Sequence, residues 1–463
     1  MSRHTDAIAA ISTPPGKGGV ALIRLSGDGA FDIARKVFVT AGQYSFDKIE
    51  PRKQTYGYIT ESGEIIDDVL LTLFPAPNSY TGEDTAEICC HGGITVTAAV
   101  LSALLAAGAR AAGPGEFTER AFINGKLTLT EAEAIGNLLD ASGREQIRLN
   151  SHSSRARLNE KVDMIRHSLV RLMSSIYARI DYPDEDLGDF SDDELVKELE
   201  SVISAAVALR DTYRTGRAIS EGISTVICGK PNAGKSSLYN MLLGEDAAIV
   251  TDIEGTTRDV LERNAHIGKV TVKLFDTAGI RSSNVTDRVE RIGIERSRKM
   301  LEKCELIFAL FDISRPLDEE DEQIIRQLKN AHGTVVAVLT KTDLPTALDT
   351  DRIAERFNNV IKISTEREED SIKAVKEITE MLFTDASLHI GRDAVISSAR
   401  QHATLNRAIE LMSIARDSLL GGFSQDAVST DIERAISALG ELDGREVNDM
   451  VVADIFSRFC VGK

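Results

Sequence analysis

The segment Gly229-Lys-Pro-Asn-Ala-Gly234-Lys235-Ser236 constrains the fold more than any other, because a loop of this composition has a physical use only between a strand and a helix. An apolar run of strand length, residues 223–228, precedes it, and a helix-compatible run, residues 237–243, follows. In that setting backbone N–H groups close around phosphates at a helix N-terminus. Asn232, Ala233, Gly234, Lys235, Ser236 and Ser237 are therefore expected to line a nucleotide's phosphates. Lys235 would act catalytically by reaching the β- and γ-phosphates, and the Ser236 hydroxyl would ligate Mg2+. An ordinary glycine turn is the competing reading, and it leaves the flanking strand and helix without a role.

Further apolar runs of strand length at 270–275, 306–311, 335–339 and 360–363 alternate with helical stretches. They predict a doubly wound parallel sheet over residues 221–384. Three more segments fall where a GTPase needs them. Gly255-Thr256-Thr257-Arg258-Asp259 offers hydroxyls to Mg2+ and the γ-phosphate, with Thr257 assigned to the metal. In Asp276-Thr277-Ala278-Gly279, Asp276 can hold a magnesium-bound water and the Gly279 N–H can sense the γ-phosphate. In Thr340-Lys341-Thr342-Asp343, the carboxylate can accept from guanine N1–H and the 2-amino group while Lys341 covers the ring. Adenine has no such donor pair, so the base is expected to be guanine. Ser364, at the end of the next strand, would support the base.

Two departures from the usual GTPase pattern stand out. Position 340 is Thr where Asn is common, and position 280 is Ile where Ras-like enzymes carry the Gln that orients water. Charge stabilisation is then expected from a monovalent cation held by Asn232, Thr251, Ile253 and Thr256, with Glu290 as the residue that orients the water. For Glu290 a solvated helix carboxylate is the alternative.

The flanks differ in kind. Residues 1–125 carry short β-branched or aromatic runs at 20–25, 54–60, 69–74 and 86–90 between Gly and Pro punctuation, which reads as an α+β domain. From residue 126 to 220 apolar residues recur at helical spacing, as in Val162, Ile165, Leu169, Leu172 and Ile176, and Thr130 with Glu133 has the spacing of a capping box. Residues 181–194 hold eight acidic residues, an acidic turn in preference to a metal site. Helical periodicity returns over 385–463, and this tail is expected to pack on residues 127–220. The helical domain is thus predicted to be discontinuous, with the GTPase domain inserted in it.

The chain has 463 residues, enough for about three domains. A net charge of −18 argues against broad electrostatic binding to a nucleic-acid backbone; an RNA substrate would be met locally or through a basic partner. Five irregularly spaced cysteines give neither a disulfide framework nor a C-x2-C zinc site, and no run approaches about 18 apolar residues. A cytoplasmic protein without a membrane span is expected. Cys89, Cys90 and His91 read as a strand end in preference to a metal cluster.

Together with the nucleotide motifs, the segments Thr13-Pro-Pro-Gly-Lys-Gly-Gly-Val20, 74–84, His91-Gly-Gly93, 114–126, 289–297 and the terminal Phe459-Cys460-Val461-Gly462-Lys463 resemble the MnmE (TrmE) family of tRNA-modification GTPases over nearly the whole chain. The resemblance implies a folate-binding, dimerising N-terminal domain. It implies a GTPase domain activated by K+ when two copies meet, and a partner, the FAD-dependent MnmG (GidA), in a heterotetramer-type complex. That complex would add an aminomethyl or carboxymethylaminomethyl group to the wobble uridine of certain tRNAs. Folate, as a 5-formyl or methylene tetrahydrofolate, maps by resemblance onto Arg24, Glu87, Lys126 and Lys463. Cys460 is a candidate nucleophile, with a small buried apolar residue as its alternative. A different class, a ribosome-assembly switch of the Era or Der type, would be expected to show a KH module or tandem GTPase domains, and neither is found in the sequence.

Overall fold

Seven strands build the N-terminal unit: β1 (Ile8–Ile11), β2 (Val20–Ser26), β3 (Phe38–Thr40), β4 (Thr55–Glu61), β5 (Glu64–Phe74), β6 (Thr85–His91) and β7 (Arg110–Ala111). This computed structural model describes residues 6–42, 44–181, 192–244, 262–275, 303–444 and 449–462. The seven strands form one sheet in the order β3-β4-β5-β6-β2-β1-β7, antiparallel except where β1 meets β7. Alternate residues of β2, Ala21, Ile23 and Leu25, are buried in one core with residues of α1 (Ala30–Val37) and α2 (Ile94–Ala106). A second, smaller core gathers Ile8, Ala10 and Phe117, the last from α3 (Glu116–Ile123). Strands β1, β3 and β7 are not legible from sequence because they are four, three and two residues long, too short for a period to register.

A charged network in this unit is buried at Arg120 and Glu116 and open at Asp6 and Arg110. Arg120, only 3% exposed, donates to the Asp6 carbonyl and carboxylate at 2.7 and 2.9 Å and to Glu116 at 3.0 Å. Arg110 bonds the same two carboxylates at 2.6 Å each. Leaving Arg120 without its carboxylates would cost about 3–5 kcal/mol, because that charge stays buried, whereas the exposed Arg110–Asp6 pair contributes little.

The capping box after this domain is shifted by two residues from the expected one. Thr128 and Glu131 cap α4 (Leu129–Leu139): Thr128 N–H donates to the Glu131 carboxylate at 2.8 Å, and Glu131 N–H donates to the Thr128 hydroxyl at 3.2 Å. The Thr130 hydroxyl instead donates to the Leu442 carbonyl at 2.7 Å. Both frames fit the Ser/Thr-x-x-Glu pattern, and packing of the apolar face selected one.

The chain divides into two compact units, Met1–Gly136 with Ser437–Lys463, and Asn137–Ile436. In the second, α5 (Arg144–Leu149), α6 (His152–Asp181), α7 (Asp192–Asp211) and α8 (Tyr213–Ser220) lead into the inserted sheet. Val162, Ile165, Leu169, Leu172 and Ile176 are all buried on α6, as are Leu195, Leu199, Val202, Ala206 and Leu209 on α7. The acidic stretch 182–191 lies outside the described residues.

The inserted sheet runs β13-β12-β11-β8-β10-β9, comprising β8 (Ile223–Gly229), β9 (Glu262–Ile267), β10 (Val270–Phe275), β11 (Leu306–Asp312), β12 (Thr334–Thr340) and β13 (Asn359–Lys362). α9 (Lys235–Gly244) and α12 (Glu368–Phe383) bury residues on one face, while α10 (Glu319–Leu328) and α11 (Thr350–Ala354) do so on the other. This is the doubly wound arrangement, with one addition. Edge strand β9 pairs antiparallel with β10, and its sequence, Glu-Arg-Asn-Ala-His-Ile, is too polar to read as a buried strand. Of its residues Ala265 and Ile267 are buried in the core.

The chain enters and leaves this sheet at the same place. The Thr215 hydroxyl accepts from Asp385 N–H at 2.8 Å and the Thr212 hydroxyl accepts from Ile396 N–H at 3.0 Å. A Cβ at Gly216 would collide with the Ile396 carbonyl oxygen, so only glycine permits this crossing. α13 (Ala399–Leu420) then packs on α7. α14 (Gln425–Asp443) ends among the first-unit residues, and α15 (Asp449–Ser457) buries Val452 and Phe456 with Leu129 and Ala132. The last part of the tail therefore groups with the N-terminal unit.

Acid should loosen the N-terminal unit through these carboxylates. Hydrogen bonds from Arg110 hold the Asp6 carboxyl below its ordinary value of 3.8. Burial pushes Glu116 up, but bonds from Arg110, Gly113 N–H and Arg120 outweigh it and leave it below 4.5. Groups with lowered folded-state values stabilise above their unfolded values, so this contribution is present above about pH 4.5 and is lost as pH falls through the folded values. In thermal melts, Glu116→Gln should lower Tm at pH 7 and flatten its decline below about pH 4.5.

Candidate nucleotide-binding site

Strand β8 ends at Gly229 and α9 begins at Lys235, and the residues between make a tight loop with Asn232 at φ 62° and Gly234 at φ 96°. Asparagine and glycine are the residue types that hold this left-handed conformation at least strain. Ala233 is buried, whereas Ser236 and Ser237 open α9 with little cover. Lys235 folds back over its own loop, its ammonium donating to the carbonyls of Gly229 at 2.9 Å and Lys230 at 2.6 Å. The ammonium thus lies over the loop whose N–H groups precede a helix, a donor set that suits phosphate oxygens.

The base-reading loop leaves the neighbouring end of the sheet. Thr340 acts structurally here. Its hydroxyl donates to the Ala233 carbonyl at 2.9 Å and stands 3.3 Å from the Phe311 carbonyl, tying this loop to the phosphate loop. Lys341 follows at φ 60°, with its ammonium 2.5 Å from Asp312. The Asp343 carboxylate accepts from the Ser364 hydroxyl at 2.5 Å. That bond holds Asp343 below the usual carboxylate range, so it stays an acceptor at neutral pH. Ser364, 2% exposed, also donates its N–H to the Ser371 hydroxyl at 2.9 Å.

Asn232, Ala233, Gly234, Lys235, Ser236, Ser237, Lys341, Asp343 and Ser364 thus gather at one end of one sheet. Thr251, Ile253, Thr256, Thr257, Asp276, Thr277, Ala278, Gly279, Glu290 and Lys463 lie outside the described residues. Sequence reading missed Asp312; the signal available was an acidic residue ending a wholly apolar strand.

The N-terminal unit holds the other predicted positions. Arg24 and Glu87 are cross-strand partners on β2 and β6, joined at 2.8 and 3.0 Å. The Arg24 guanidinium lies 5.0 Å from the Tyr80 ring centroid and 5.7 Å from that of Phe117, neither of which was singled out from sequence. Lys126 stands apart from this pair in its bonding, donating to the Pro77 carbonyl at 3.0 Å. Cys460 is exposed, which removes the buried-residue alternative. The tail that carries it is pinned by Gly115 N–H to the Cys460 carbonyl at 3.3 Å and by Ser12 to the Gly462 carbonyl at 3.0 Å. His91 bonds Asp67 at 2.8 Å at the end of β6.

A phosphate loop and a guanine-type base loop on a doubly wound sheet, set within a helical scaffold, define a GTPase of the multidomain class. Comparison with known proteins narrows this. A family profile described as "GTP-binding protein TrmE N-terminus" matches residues 7–126, and one for the "MnmE helical domain" matches residues 129–460. The tRNA modification GTPase MnmE of Thermotoga maritima is 39% identical over 463 residues, 99% of this chain and 100% of that protein. That of Streptococcus thermophilus is 38% identical over 465 residues, covering 100% of both. The chain belongs to the MnmE family. A structure of Aquifex aeolicus Era bound to GDP.AlF4- covers 42% of this chain and 67% of its own at 22% identity and a TM-score of 0.27, too distant a likeness to carry an argument. Among the described residues no helix is long and apolar enough to cross a membrane.

Ser364→Ala should free the Asp343 carboxylate and weaken GDP binding about fivefold, with little change in overall stability, as read by titration with a fluorescent GDP analogue.

Proposed function

We propose that this chain hydrolyses GTP to GDP and phosphate and, with an FAD-dependent partner of the MnmG type, adds an aminomethyl or carboxymethylaminomethyl group to the wobble uridine of certain tRNAs in the cytoplasm. The observation that carries the reading is the convergence of Lys235, Asp343 and Ser364 on one sheet end in a chain whose N-terminal and helical parts both match family profiles.

In this reading Lys235 holds the β- and γ-phosphates, and Ser236 and Thr257 take Mg2+ with Asp276 behind a bound water. Asn232, Thr251, Ile253 and Thr256 hold K+, which supplies the positive charge that an arginine finger gives elsewhere, and Glu290 orients the water. Gly279 senses the γ-phosphate beside Thr277 and Ala278, and Asp343 with Lys341 reads guanine. Two GTPase domains of a homodimer would approach and separate with the nucleotide cycle. The four functional segments are taken as 1–125, 126–220, 221–384 and 385–463.

A tetrahydrofolate derivative would supply a one-carbon unit at the N-terminal unit. The described residues there suit a ligand with a carboxylate tail and a polar ring: Arg24 is a cation near two aromatic rings with Glu87 as acceptor, and in this reading Lys126 and Lys463 would add charge. Cys460 would act as a nucleophile when deprotonated, a role that its exposure supports. With a net charge of −18 on this chain, tRNA capture would be shared with the partner.

Deleting the gene and measuring tRNA nucleosides by mass spectrometry should show loss of the wobble-uridine side chain, restored by the intact chain and not by Lys235→Ala. An unchanged profile would reject the modification reading and favour a ribosome-assembly switch. Replacing K+ by Na+ at equal ionic strength should cut GTP turnover at least about tenfold, a charge effect of roughly 1.4 kcal/mol or more; equal rates would remove the cation from the mechanism.

A further inference from the structure

We propose that residues 312–321, which leave β11 and cap α10, form a positioning clamp that holds the phosphate loop and the base-reading loop in their binding arrangement before nucleotide arrives. The proposal rests on reading residues 229–236 and 340–343 as the GTP site.

Each loop gives one lysine to this segment. From the phosphate loop comes Lys230, whose side chain is 5% exposed and whose ammonium pairs with Asp318 and, at 3.2 Å, with Asp321. Asp318 is itself the N-cap of α10, one oxygen accepting from Glu320 N–H at 3.0 Å and Asp321 N–H at 3.2 Å, which leaves the other for Lys230. From the base-reading loop comes Lys341, 2.5 Å from an oxygen of Asp312. The second Asp312 oxygen accepts from the Ser314 N–H at 3.0 Å and hydroxyl at 2.6 Å, so the carboxylate cannot turn away. Arg315 stands 3.7 Å from Asp312 and completes an alternating row of charges.

The backbone repeats the pattern. Ile313 N–H donates to the Thr340 carbonyl at 3.2 Å, and the Ile313 carbonyl accepts from Ala347 and Leu348 N–H at 2.8 and 3.1 Å. One residue therefore grips both flanks of the base-reading loop. Lys341 sits at φ 60°, a conformation that an ordinary residue keeps only where its surroundings over-determine it.

None of Lys230, Asp312, Asp318 and Asp321 is assigned a contact with nucleotide. Buried ion pairs are poor sources of net stability compared with apolar packing of the same volume. What they supply here is geometry, and loops already in place lose less freedom when a ligand binds. Burial pushes the Asp312 carboxyl up, but Lys341 and Ser314 outweigh it and keep it ionised at neutral pH.

The test uses the full chain, a fluorescent GDP analogue and steady-state GTP hydrolysis. Asp321→Asn releases Lys230, and Asp312→Asn releases Lys341. Each should raise the GDP dissociation rate and the KM for GTP about 3- to 10-fold, the worth of one newly mobile side chain, while kcat at saturation stays within about twofold. If Asp321→Asn does not fold, Asp318→Asn, whose side chain is 54% exposed, loosens the same lysine. Unchanged dissociation and KM beside a lowered Tm would overturn the clamp and leave a purely structural role, as would a fall in kcat with KM unmoved. Failure of the intact chain to bind GDP would overturn the reading of the site itself.

Discussion

The nucleotide-facing edge of this protein depends on β11. All seven of its residues are buried, and it pairs in parallel with β8 on one side and β12 on the other. Register sets Leu310 opposite Gly229 and Asp312 opposite Thr340, so three strands end close to one level. Loops leaving the carboxyl ends of adjacent parallel strands share one crevice, which is where ligands of such sheets bind. The phosphate loop, the acidic segment after β11 and the base-reading loop are neighbours for this reason alone. A one-residue slip of β11 would turn its side chains to the opposite face and carry Asp312 away from Lys341.

Polar groups inside the inserted sheet follow from that alignment. The Thr340 hydroxyl is near enough to the phosphate loop to donate to Ala233, a connection that needs only a short side chain when the strands end together. Asp343 is held by Ser364 just past the next strand, so the carboxylate proposed to read guanine has its partner on β13's exit. The same logic operates in the N-terminal unit, where Arg24 and Glu87 meet because β2 and β6 are antiparallel partners in register. Aromatic rings of Tyr80 and Phe117 close over the guanidinium, which keeps a charged group at a partly buried position.

The insertion works because its two ends meet. Thr212 and Thr215 on the way in bond Ile396 and Asp385 on the way out, and Gly216 lets the exit segment cross α8 at backbone distance. Arg217, on the same helix, pairs with Glu305 at the start of β11, and Glu305 also accepts from Ser224 at the start of β8. A helix of the scaffold is thereby bonded to the amino-terminal ends of the strands whose carboxyl ends face the nucleotide. The 39% identity with the Thermotoga maritima protein runs over 463 residues and so spans scaffold and insertion alike.

The sequence by itself determined the class of the elements with a clear apolar period, since period and length are local properties: the buried faces of α6 and α7, the apolar strands β8, β10, β11 and β12, and the strand–loop–helix context of Lys235 were all legible. It also singled out Asp343 and Ser364, which the structure joins by a hydrogen bond. Only the tertiary structure decided what depends on which neighbours arrive. It chose Thr128 over Thr130 as a cap, recruited the polar edge strand β9, set Cys460 in solvent, and gave Thr340 and Asp312 their partners. Side-chain identity states what bonds a residue is able to make; which of them it makes is settled by strand register and by the burial of everything around it.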